Sequence, residues 1–112
     1  MSCGSGKNTI TWWRGQRKTL RLQICAPPAE GIGGWTFAFY LYDSLLADAE
    51  LVLTKTTGFT ITETGGADTP AVVELLLQPA DVATLDPGTY HHKWVRADNG
   101  IVIDYGPFIL NP

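Results

Sequence analysis

The chain has no apolar run long enough to cross a membrane: none approaches the ~18 residues a spanning helix needs. It has one methionine, two histidines and two cysteines in 112 residues. Two cysteines, Cys3 near the start and Cys25 at the end of a strand, make no disulfide framework, and a reducing compartment leaves both thiols free. The two histidines are adjacent, His91 and His92. Neighbours on a strand face opposite ways, so the pair cannot chelate one ion together, and no motif supplies the remaining ligands. The serines Ser2, Ser5 and Ser44 stand in no nucleophile elbow. No carboxylate pair is selected by spacing, so the reading is not an enzyme, with no catalytic residue, metal or cofactor. The first eight residues, MSCGSGKN, contain no apolar h-region and therefore no secretory signal, which places synthesis in a cytoplasm. Its GSGKN lacks the earlier glycine, the preceding strand and the Ser or Thr that a phosphate loop requires.

Glycine and proline are plentiful, twelve and seven, as many short strands joined by turns demand. At this length a single domain buries roughly two thirds of its unfolded surface and needs no metal or disulfide to fold. Residues 1–8 are expected as a flexible leader and 9–112 as one domain. Charge is uneven: residues 1–29 carry +5 and residues 30–112 carry −8. Such asymmetry either steers a basic end toward an acidic partner or pairs a basic strand with an acidic one inside a sheet.

Alternation carries the structural reading. In TLRLQIC, 19–25, Leu20, Leu22 and Ile24 share one face. In WTFAFYLYD, 35–43, Trp35, Phe37, Phe39 and Leu41 alternate with a second, partly apolar face that includes Tyr40 and Tyr42. Further strands are expected at 10–16, 50–56, 58–64, 71–78, 88–97 and 101–110. A helix or wide turn is expected over 44–50, a short helical turn over 79–85, a hairpin turn at Asp98-Asn99-Gly100, and a bulge or bend at Gly106-Pro107. Seven or eight short strands without a long amphipathic helix predict an all-β, immunoglobulin-like antiparallel sandwich. A small open barrel is the alternative.

LDPGTY, 85–90, reads as the corner of such a sandwich. Leu85 plugs the core, Asp86, Pro87 and Gly88 turn the chain, and the Tyr90 hydroxyl reaches back to upstream backbone. By alternation Tyr90, His92 and Trp94 point inward, and His91 and Lys93 outward. Trp12 and Trp13 cannot both be buried on one strand, so one faces the core and the other is exposed or covered by a partner. Trp, Tyr and Arg dominate protein interfaces, which makes Trp12, Trp13, Arg14, Arg17, Tyr40 and Tyr42 the candidate partner-binding residues. The acidic domain carries no nucleic-acid-binding signature, so nucleic acid and membrane are left out of the reading.

The order of these pieces resembles a family. ITWWRGQRKTLRLQI, GGWTFAFYLYD, VELLLQPADVATLDPGTYHHKWV and DNGIVIDYGPFIL together are similar to the small immunoglobulin-like domains of tailed-phage virion proteins. Examples are the N-terminal domain of baseplate upper proteins and tail or fibre-attachment modules. The family often has Arg-Gly-Asp where this chain has Arg14-Gly15-Gln16, and an aspartate after the corner tyrosine where this chain has His91, His92 and Lys93. The resemblance implies a non-enzymatic virion structural protein, made in a bacterial host and acting by protein–protein assembly. Its expected partners are other virion proteins or copies of itself, in a homo-oligomer or symmetric particle. The competing expectation is a monomeric carbohydrate- or ligand-binding sandwich that uses its aromatics as a stacking platform.

Overall fold

A computed structural model of the chain describes residues 9–15, 17–24, 28–43 and 49–112, and for Lys18 the backbone alone. The expected leader, Cys3, Cys25, Ser44 and most of the expected helix or turn over 44–50 lie outside the described residues. Among the described residues eight strands follow in chain order: β1 Ile10–Trp13, β2 Lys18–Ile24, β3 Phe37–Tyr42, β4 Leu51–Lys55, β5 Phe59–Glu63, β6 Ala71–Leu77, β7 Gly88–Arg96 and β8 Ile101–Asn111. One 3₁₀ turn, Pro79–Asp81, stands where the sequence predicts a helical turn.

The strands form two sheets, one in the order β1-β8-β7-β3-β4 and the other β2-β6-β5. The consecutive pairs β3-β4, β5-β6 and β7-β8 stay within one sheet, and the chain crosses the sandwich between β1 and β2, β2 and β3, β4 and β5, and β6 and β7, as in an immunoglobulin-like fold. The chain is an all-β, immunoglobulin-like sandwich. One pairing departs from the antiparallel rule: β1 runs parallel to β8, with Ile10 opposite Phe108 and Trp13 opposite Asn111. The charge asymmetry is partly absorbed within the smaller sheet, where Arg21 of β2 lies opposite Glu74 of β6.

The core lies between the sheets and follows the period of two. Leu20 and Leu22 of β2 and Leu75 and Leu77 of β6 meet Phe39 and Leu41 of β3, Trp94 of β7, Phe108 and Leu110 of β8 and Trp12 of β1. Aromatic contacts knit the two sheets: Phe59 of the smaller sheet meets Phe37 with centroids 5.9 Å apart and Trp94 edge-on at 6.1 Å. Such pairs add to what area burial alone provides.

One expectation about β8 is corrected. The strand runs without interruption through Gly106 and Pro107, which pair in register with His92 and His91. The register shift sits between Trp94 and Val95, opposite which Ile103 is the extra residue. Pro107 can stay in the strand because β1 covers β8 only from Phe108 onward. Among the described residues no strand lies beyond Pro107 on that side, so its missing N–H costs no ladder bond there.

Candidate interaction face

The corner comes first, because it orients β7. The chain leaves β6 through Gln78, whose N–H donates to the Asp81 carboxylate at 2.8 Å. The Lys55 ammonium reaches the other oxygen of Asp81 at 3.2 Å. Val82 and Leu85 are buried in the main core, and the Leu85 N–H donates to the Val82 carbonyl at 3.1 Å. Asp86 and Pro87 then turn the chain, and Gly88 opens β7. The Tyr90 hydroxyl donates to the Asp86 carbonyl at 2.6 Å. Burial, and after it the Asp86 charge, push the Tyr90 phenol above its ordinary 10.0. These residues are a structural corner that sets which side chains of β7 face out.

His92 and Asp104 are both buried, at 1% and 2% exposure, on the inward face of β7 and β8. His92 lies opposite Gly106, and its ring stacks on Phe39 with centroids 5.8 Å apart; Asp104 lies opposite Trp94. His91 faces the other way, opposite Tyr42 on one side and Pro107 on the other. The two imidazoles are therefore separated by the sheet. Among the described residues no group of three His, Cys, Asp or Glu side chains is placed to hold a metal ion.

The six sequence-predicted partner residues do not form one patch. Trp12 is a correction: it is fully buried, stacked on Phe108 with centroids 6.5 Å apart, and cannot meet a partner. The cause is alternation, since Trp12 shares the inward parity of Ile10 while Trp13 takes the outward one, where it is 58% exposed. Arg14 is exposed, but its guanidinium donates to the Ala83 carbonyl at 2.7 Å, on the corner. Arg17 is exposed just before β2, in the other sheet. Trp13, Tyr40 and Tyr42 do share a surface, the outer face of the five-stranded sheet, with β8 and β7 between them.

The register shows what lies between. One row across this face is Tyr42, His91, Pro107; the next is Tyr40, Lys93, Tyr105; the next is Ala38, Val95, Val102. Leu51 lies beside Tyr42 on β4, and Ile109 beside Thr11 on β1. Among the described residues the large apolar side chains left exposed are Trp13, Leu51, Ile101, Val102 and Tyr105. All but Ile101, which sits at the hairpin end, project from this face. Lys93 is the one formally charged side chain at its outward strand positions among the described residues, and its ammonium lies 5.1 Å from the centre of the Tyr42 ring. The outer face of the other sheet is different in kind: Thr19, Arg21, Gln23, Thr60, Glu63 and Glu74 point outward there. An apolar, aromatic, charge-depleted surface on one side and a charged one on the other is the composition that separates interface cores from ordinary surface.

Tyr105, Val102, Leu51, His91 and Lys93 were not among the sequence-predicted interface residues. His91 and Lys93 share the outward parity that TYHHKW states. Val102 does not follow from strict alternation along β8, because the extra residue Ile103 reverses the parity beyond it.

No known protein family matches the chain, and no curated protein does. Among solved structures, the natural killer cell receptor NKp44, a triggering partner in natural cytotoxicity, is similar at 20% identity with a TM-score of 0.40, covering 94% of this chain and 96% of that one. A β subunit of a voltage-gated sodium channel, from a study of multimeric cell-adhesive interactions, is similar at 12% identity with a TM-score of 0.35, covering 99% of this chain and 94% of that one.

Proposed function

We propose that this chain is a non-enzymatic structural protein that works by protein–protein association, and that the outer face of its five-stranded sheet is the associating surface. The observation that carries the reading is the collection of Trp13, Leu51, Val102 and Tyr105 on one face with, among the described residues, a single formal charge, Lys93. Five strands about 4.8 Å apart, four to eleven residues long and presenting alternate side chains outward, span roughly 24 Å by 20 Å. Once side-chain relief is included, that approaches the ~800 Å² per partner of a standard interface. Burying the aromatics supplies the driving force. The exposed Arg17 and the basic end of the chain guide an acidic partner surface toward it. The setting, following the sequence resemblance, is a tailed-phage virion or a particle derived from one, with other virion proteins or copies of this chain as partners.

Light scattering across the micromolar range, at low and high salt, tests the self-associating form. A defined oligomer that Trp13→Ala or Tyr105→Lys dissociates, with the fold intact by circular dichroism, is the expected result. An oligomer indifferent to both substitutions overturns the assignment of this face. A monomer at every concentration overturns the homomeric form.

A further inference from the structure

A concave site lies away from the outer face, on the flank where the chain crosses from β4 to β5. Its cavity is about 330 Å³. Trp35, Phe37 and Phe59 supply aromatic surface, and Thr36, Thr56 and Thr57 bring three hydroxyls to it. The walls are held. The Arg96 guanidinium lies 3.9 Å from the centre of the Trp35 ring, and its Nε donates to the Asp98 carboxylate at 2.7 Å, which keeps that carboxyl below its ordinary pKa. The Ala97 N–H donates to the Thr36 carbonyl at 2.8 Å. Phe37 packs on Phe59 with centroids 5.9 Å apart and on Trp35 at 6.4 Å. The indole is therefore fixed before any ligand arrives, which lowers the ordering cost of binding.

The lining selects a chemical class. None of the lining residues carries a formal charge, and the Arg96 guanidinium beside the indole is already paired with the Asp98 carboxylate, so the lining offers no unpaired charge to a phosphate, a carboxylate or an ammonium. Aromatic rings beside hydroxyl groups suit a molecule with an apolar face and a polar rim. None of the three threonine hydroxyls hydrogen-bonds to another described residue, so each can donate to and accept from a ligand. The cavity stands at the low end of ligand sites, about 300–1,000 Å³, the scale of one sugar ring rather than a nucleotide or a lipid. We infer that this groove binds an uncharged pyranose, with its C–H face against the aromatic wall and its hydroxyls on Thr36, Thr56 and Thr57.

The groove is separate from Trp13, the residue that tests the association proposed above. Trp13 stands on β1, at the opposite edge of the five-stranded sheet from β4, four strand spacings or roughly 19 Å away.

Titration of the ¹⁵N-labelled chain with the methyl pyranosides of glucose, galactose, mannose and N-acetylglucosamine tests the inference. At least one sugar should give saturable shifts at the Trp35 indole N–H and at the Thr56 and Thr57 amides, with a dissociation constant on the order of 1 mM. Trp35→Ala should abolish them. Because Trp35 also packs against the core, Thr56→Val/Thr57→Val is the second variant: both positions are exposed, and removing the two hydroxyls should weaken binding about tenfold or more. Trp13→Ala should bind as the parent does. Saturable shifts with none of the four sugars, shifts centred on Trp13, or binding unchanged in the double threonine variant would each overturn the inference. A groove that ignores all four sugars is left as a seat for an apolar side chain of a protein partner.

Discussion

The Tyr90 hydroxyl donates a 2.6 Å hydrogen bond to the carbonyl of Asp86, four residues earlier, and so ties the start of β7 to the turn that precedes it. That bond braces the start of β7, whose register with β3 and β8 places Tyr90 and His92 toward the core and His91 and Lys93 outward. The interaction face depends on this corner, since His91 and Lys93 occupy its two central rows.

Tyr90→Phe should therefore cost about 1–1.5 kcal/mol, the worth of one well-made hydrogen bond, without changing the fold. The substitution also has a pH signature. The phenol titrates higher in the folded chain than when unfolded, because burial and the Asp86 charge disfavour the phenolate. Its contribution is fully present below the unfolded value near 10 and is lost as pH rises through the raised folded value. Urea unfolding at about pH 8 and about pH 11 should show the parent losing more stability than Tyr90→Phe, so that the gap between them narrows at high pH. Equal losses in the two chains would refute it.

Trp12 and Trp13 separate stability from association. Trp12 is fully buried against Phe108, and its indole N–H has no hydrogen-bond partner among the described residues. Trp12→Ala should cost about 3–5 kcal/mol through the cavity it leaves. Trp12→Phe loses less area and also removes a buried donor, and should cost no more than about 1.5 kcal/mol. Trp13→Ala, at an exposed position, should change stability by less than about 0.5 kcal/mol. Denaturant midpoints of the three variants check the order; a Trp12→Phe cost as large as that of Trp12→Ala would mean that the indole N–H is satisfied.

How much of this was legible in the residues follows from the range of each interaction. Strand positions and facing came from alternation, which is local: Leu20, Leu22 and Ile24 against Thr19, Arg21 and Gln23, or Trp12 against Trp13. The corner was legible because Leu85, Pro87, Gly88 and Tyr90 lie within six residues and each has a turn-specific role. The parallel pairing of β1 with β8 was not, since its two strands stand about a hundred residues apart and alternation carries no partner information. The extra residue at Ile103 hides for a different reason. IVIDY alternates no differently with or without a bulge, and the residue types Gly106-Pro107 carry no information on where β1 begins to pair, opposite Phe108. The interaction face was half legible. Tyr40 and Tyr42 showed in the second face of β3, while Tyr105 and Val102 joined them only through the β7–β8 register.

Gly31 makes a local test of packing beside that fold-level one. It has φ 82°, and a Cβ placed on it would stand 2.9 Å from the carbonyl oxygens of both Thr64 and Gly65. The Thr64 oxygen already accepts from the Ile32 N–H at 2.8 Å and cannot retreat without breaking that bond. Gly31→Ala should cost about 2–4 kcal/mol, from left-handed strain together with overpacking. Gly34 has nearly the same φ, 84°, but open space around the Cβ position, so Gly34→Ala should show the backbone strain alone, about 1 kcal/mol. Thermal unfolding of the pair checks it, and equal losses would mean that the Gly31 loop yields.

The two outer faces of the sandwich supply the control for association. A lysine in place of Tyr105 puts charge into the middle of the apolar face, in the same row as Lys93, with Tyr40 beyond it. Burying that charge against a partner without a counter-charge should weaken association by about a hundredfold or more. A lysine in place of Gln23 or Thr19 adds the same charge to the outer face of β2, which already carries Arg21 opposite Glu74. Both changes alter net charge equally, so an effect of charge alone would make them equivalent. Sedimentation equilibrium at matched salt should find Tyr105→Lys dissociated and Gln23→Lys indistinguishable from the parent. Equal weakening by the two would assign the association to long-range charge instead of to the aromatic face, and weakening by Gln23→Lys alone would move the interface to the smaller sheet.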